Sequence, residues 1–159
     1  MLILNGVEFS LRTEEKEASF LRTCFYILES DDDTIEISLD GAFNENSLEG
    51  INIKPSFALN SFETNKTKIS ELIGMVFKVD TINESLDRED TFYVWEHEPF
   101  EKLKLEIVDI DTKEGKVHVK CEGIAVIDGY SEPFKTATFM LDCWVPVINW
   151  DEAIKTFGI

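Results

Sequence analysis

From Leu103 to Val145 the apolar residues fall at every second position, and that period fits paired β-strands and little else. Leu103, Leu105 and Ile107 share one face. Val117, Val119 and Cys121 share another after the polar turn Asp111–Gly115. Phe139, Leu141, Cys143 and Val145 repeat the pattern, with Thr136, Thr138, Met140, Asp142 and Trp144 opposite them. The alternation changes phase at Val108 and near Gly123, which is how a β-bulge reads in sequence.

The N-terminal half carries the same signature in shorter pieces. Asn5-Gly6 lies between Leu2-Ile3-Leu4 and the alternating Val7–Leu11, the strongest short hairpin signal, because both turn positions need positive φ. Residues Thr13 to Glu17 read as a polar connector. Phe20–Glu29 and Thr34–Leu39 form a second expected hairpin across Ser30–Asp33, ended by Asp40-Gly41. Asn44–Gly50 reads as a loop and Ile51–Leu59 as a strand in which Pro55 marks an edge or bulge. Asn60–Lys68 reads as a polar linker. Ile69–Ile73 can form one helical turn, Met75–Val79 is a further strand, and Tyr130 reads as a turn residue.

The best helix signal is the tail from Asn149 to Gly158. Asn149 suits an N-cap, Glu152 completes a capping box, and Gly158 suits a C-terminal stop. The expectation is an all-β or β-rich single domain over 1–159, an antiparallel sandwich or partly open barrel of about 8–10 strands with a short C-terminal helix.

An internal repeat over 1–59 and 69–148 is a candidate. Gly6, Phe9, Leu11 and Thr13 keep the register of Gly74, Phe77, Val79 and Thr81, and each segment leads to a hairpin ending in acid-glycine, Asp40-Gly41 and Glu122-Gly123. The second unit is longer between Thr81 and Leu103. That extra length, Ile82–Lys102, concentrates acid and aromatic residues: seven carboxylates against Arg88 and Lys102, with Phe92, Tyr93, Trp95 and Phe100 among them.

Charge sets the class of partner. The chain carries 32 acidic and 15 basic residues, a formal net charge of −17. Such a field repels nucleic-acid phosphates and anionic membranes and speeds encounter with a basic protein. The N-terminus lacks the basic region of a signal peptide, so a cytoplasmic setting is expected. Three cysteines, Cys24, Cys121 and Cys143, then read as reduced thiols in strands.

Catalytic and metal signatures are weak. Glu96-His97-Glu98 in extended chain turns His97 away from the two acids, and His118 lies three positions from Cys121 on one strand, so neither makes a zinc set. The aspartates of Asp31–Asp33 lack EF-hand spacing, and Gly-x-Ser-x-Gly is missing. No cofactor or metal is expected. The expected function is protein binding, in its most concrete form an immunity-type inhibitor of a basic toxin enzyme. The partner-binding residues would be Asp90, Phe92, Tyr93, Trp95, Glu96 and Glu98, with Trp95 exposed and Trp144 covered. The alternative is a small-molecule-binding β-barrel or enzyme with an interior pocket; a third reading is an accessory protein whose acidity only keeps it soluble.

Overall fold

The computed structural model describes residues 1–12 and 23–159, together with the backbone of Glu15–Lys16 and Phe20–Leu21. Most of the expected connector at Thr13–Glu17 lies outside the described residues; within it Glu15–Lys16 (β3) pairs with Phe20–Leu21 (β4). The chain is strand-rich, and its sheets are antiparallel and do not close into a barrel.

One sheet has six strands in the order β10-β13-β14-β15-β1-β2. They are Val76–Val79 (β10), Phe100–Asp111 (β13), Lys116–Asp128 (β14), Lys135–Pro146 (β15), Leu2–Leu4 (β1) and Val7–Phe9 (β2). The second has five in the order β12-β11-β9-β6-β5, formed by His97–Glu98 (β12), Thr91–Tyr93 (β11), Ser56–Glu63 (β9), Ile35–Ala42 (β6) and Cys24–Glu29 (β5). The strands of each half include a three-strand meander, β5-β6-β9 and β13-β14-β15. The leading strands differ: β10 pairs with β13, whereas β2 pairs with β1 in the other half's sheet.

The alternating residues meet between the sheets. Phe62 and Phe77 meet at 4.9 Å between ring centroids with their planes tilted by 39°, and Phe92 packs against Phe100 and Phe139 at 5.7 and 6.0 Å. Leu105, Ile107, Val117 and Val119 from one sheet and Ile37, Leu39 and Leu59 from the other complete the same core. At about 25 cal/mol per Å² of apolar surface removed from water, this core is the main stabilising contribution. The expected phase change at Val108 is a register shift between Ile107 and Asp109.

Several boundaries differ from the sequence reading. The described strands number fifteen because two- and three-residue ribbons add to the long ones. Asp40-Gly41 does not end β6, since ladder pairing of Asp40 with Ala58 and Gly41 with Phe57 carries it on to Ala42. Asn44–Gly50 is no plain loop: Asn46–Leu48 (β7) and Ile51–Ile53 (β8) make a hairpin on Glu49-Gly50, both at positive φ (51° and 80°). That is the backbone of the Asn5-Gly6 turn (46° and 79°) with a less favoured first residue. The polar segment expected as a linker begins inside β9, which runs to Glu63.

Two short helices and one 3-10 turn complete the described chain. The turn at Ile69–Leu72 is as expected. The tail is helical from Trp150 to Phe157 (α2), but Asn149 is left-handed (φ 53°) and makes no side-chain cap, so the capping box is not formed. The helix over Ile82–Arg88 (α1) has no counterpart in the sequence reading.

Candidate functional site

The acid and aromatic stretch is held in place by α1 and by the Arg88–Asp90 turn at its C-terminal end. Thr81 caps α1: its hydroxyl accepts from the Glu84 N–H at 3.1 Å, and the Glu84 carboxylate accepts from the Asp80 N–H at 3.0 Å. Buried Ser85 on α1 accepts from the Phe100 N–H at 3.0 Å, tying the helix to the start of β13. The signal is present in the sequence as Thr81-x-x-Glu84, a capping-box pattern, but a helix of under two turns has too little periodicity to stand out from its charges.

The C-terminal end of α1 is clamped to β9. Arg88 Nε donates to Asp90 at 2.8 Å, and its other nitrogens donate to the Asn60 and Ser61 carbonyls at 2.7 and 3.0 Å. The guanidinium lies 3.6 Å over the Phe62 ring. Asp90 also accepts from the Asn60 N–H at 2.7 Å, and Asn60 Nδ2 donates to the carbonyls of Arg88 and Glu89. Both carboxylate oxygens of Asp90 thus find donors, which is the condition for burying a charge.

Two of the six expected partner-binding residues are therefore inside the protein. Asp90 is 2% exposed, with both oxygens taken up by Arg88 and Asn60, and Phe92 is 0% exposed at the centre of the aromatic core. Both cases have the same reason, which is pairing with a distant element. Phe92 pairs across with Phe57 of β9 and so takes the inward face of the sheet, while Asp90 is drawn in by Arg88 and by the Asn60 backbone of the same strand.

The other four reach the surface, each in a different setting. Tyr93 is exposed on the outer face of β11, with its ring 4.9 Å from that of His97 across the β11–β12 hairpin. Glu96 is exposed at the hairpin turn. Trp95 is not exposed as expected but half-buried against the core, with Lys135 Nζ 5.6 Å from its ring centroid; Lys135 also pairs with Glu49 on the β7–β8 turn. Glu98, opposite Phe92 in the ladder, turns the other way from Tyr93 and lies against Gly129. The expected single patch is thus split by the strand period.

Trp144 reverses its expected setting. It is 43% exposed; its ring stacks on His118 at 5.1 Å, and His118 Nε2 lies 2.6 Å from Asp142. The α2 helix packs instead against β5.

A second exposed apolar surface lies beside the hairpin. Ile82 and Leu86 of α1, Pro99, Val126, Gly129, Tyr130 and Phe134 line a shallow groove into which Glu98 projects. Tyr130 is 83% exposed, and Leu86 and Phe134 are also open to solvent. In sequence Tyr130 reads only as a turn residue; the connection between β14 and β15 carries no pattern that places it next to α1.

The reactive groups elsewhere are quiet. Burial pushes the Cys24 and Cys121 thiols up, and lifts Cys143 to about 11. At neutral pH these thiols are protonated and poorly nucleophilic. Burial also raises Tyr26 and Asp40, which share a hydrogen bond from the tyrosine hydroxyl to the carboxylate at 3.1 Å. Among the described residues no group of three or more His, Cys, Asp or Glu could hold a metal ion, and no helix is long and apolar enough to cross a membrane.

Comparison of the chain with protein-family models, with curated proteins and with solved structures gives no match.

Proposed function

We propose that this protein binds a basic protein partner along the edge formed by the β11–β12 hairpin, as an immunity-type inhibitor would hold a cationic toxin enzyme in the cytoplasm. The observation that carries the reading is the exposed Tyr93–His97 pair beside Glu96 on the outermost hairpin of a sheet, in a chain of net charge −17. An aromatic side chain kept on the surface supplies apolar contact area at small entropic cost, and the surrounding acids draw a cationic partner in. Trp95 and Lys135 brace the hairpin from behind and present a stable shape to the partner.

Acid and aromatic groups have separate parts in this mechanism. The summed negative field speeds encounter and loses strength with salt, while Tyr93 and Glu96 determine how long the complex lasts. Asp90 and Phe92 serve from within, by fixing the hairpin on β9.

The test is quantitative capture of proteins from a native lysate by the whole chain and by a Tyr93→Ala/Glu96→Lys variant. The expected result is a protein of high isoelectric point whose recovery falls at least about tenfold in the variant, the scale of one central interface residue. Equal recovery by both chains would remove the proposal.

A further inference from the structure

The groove beside the hairpin has a composition that selects one kind of side chain. Its lining is apolar or aromatic at Ile82, Leu86, Pro99, Val126, Tyr130 and Phe134, and Glu98 is the one charged residue among the lining residues. Glu98 is only partly exposed. It has no ion-pair partner among the described residues, although the acidic side chain of Asp90 on the neighbouring turn has found one. Its carboxylate rests on the bare backbone of Gly129, in space that a Cβ there would occupy.

We infer that this groove takes one arginine side chain from the basic partner, with Glu98 pairing the guanidinium and the rims at Tyr130 and Phe134 covering its faces. This rests on the protein-binding reading above and names what the partner brings to it. The groove measures about 290 Å³, room enough for one long side chain. A partly desolvated carboxylate without a cation gains most from a charge-assisted, forked pair, which guanidinium supplies. Exposed aromatic rims add a cation–π surface, and an ammonium, compact and strongly hydrated, fits such a slot less well. The methylene stem of arginine meets Leu86, which otherwise faces water, and the partly buried Ile82.

The test uses the full chain and needs no partner. Amide NMR spectra are followed as Nα-acetyl-arginine methylamide is added, with the citrulline analogue as an uncharged control of the same shape. Saturable shifts at Gly129 and Tyr130 with arginine, and none with citrulline, are expected. Glu98→Gln should weaken the arginine titration roughly tenfold, the worth of one hydrogen bond between charged groups. Gly129→Ala keeps the charge but displaces the carboxylate, and should weaken it several-fold. Dispersed spectra of both variants verify that each is folded.

Equal shifts with citrulline would overturn the inference, as would an arginine titration unchanged in Glu98→Gln, or non-saturating shifts spread over the acidic surface. Because no partner is present, failure here removes the groove and leaves the hairpin edge standing. Failure of the lysate capture removes the edge reading instead.

Discussion

Phe92 and Tyr93 are adjacent in sequence and similar in chemistry, yet one is sealed in the core and the other faces water. The ladder decides this: Phe92 opposes Phe57, and the next residue must point outward. Phe92→Ala should cost about 3–5 kcal/mol in urea unfolding, and Tyr93→Ala no more than about 0.5 kcal/mol. Comparable losses at the two positions would mean that Tyr93 is packed and not free to bind. Asp40 gives a prediction with a pH sign. Burial raises its folded-state pKa, so its contribution to stability is full below the ordinary aspartate range and is lost as pH rises through the folded value. Asp40→Asn should therefore raise the urea midpoint at neutral pH, and the advantage should fade near pH ~3, where the wild-type carboxyl is itself protonated. A midpoint difference that does not change with pH would contradict this account.

At the scale of elements, α1 is the piece that turns a charged stretch into a seated hairpin. Its N-terminus depends on the Thr81 hydroxyl, and its other end on the Arg88–Asp90 clamp. Thr81→Ala should destabilise the protein by about 1 kcal/mol in urea unfolding, as loss of a helix N-cap does. Thr81→Ser, which keeps the acceptor, should recover most of that; equal loss in both would show that the cap is not what holds α1. The two tight turns teach a related point. Asn5-Gly6 declares itself, because asparagine tolerates left-handed backbone; Glu49-Gly50 adopts the same geometry with a residue that gives no such signal. Near Gly123 the strands approach so closely that a Cβ would overlap the Lys102 carbonyl and come within 2.8 Å of Leu103 Cα, which accounts for the glycine among long apolar strands.

For the molecule as a whole, a net charge of −17 acts on folding and on binding with opposite signs. Repulsion among the carboxylates opposes the compact state, and the Debye length falls from ~10 Å at 0.1 M salt to ~3 Å at 1 M. The urea midpoint should thus rise between about 0.02 M and about 0.5 M sodium chloride, while capture of a basic partner should weaken over the same range. A midpoint that falls with salt would show that attractive pairs such as Lys120–Asp142 and Arg88–Asp90 outweigh the repulsion.

The strand-rich class, the long hairpins, the bulge at Val108 and the acidity were legible in the sequence, because period-two alternation, Asn-Gly and charge are written in neighbouring residues. It also marked Ile82–Lys102 as the distinctive segment. What that segment presents was set by contacts with distant strands. Pairing with β9 took Phe92 inward, the Arg88 clamp took Asp90, and the return of β14 and β15 beside α1 set Tyr130 and Phe134 around Glu98. Each of these depends on a neighbour far away along the chain, and alternation fixes only that successive residues face opposite ways, not which face will be covered.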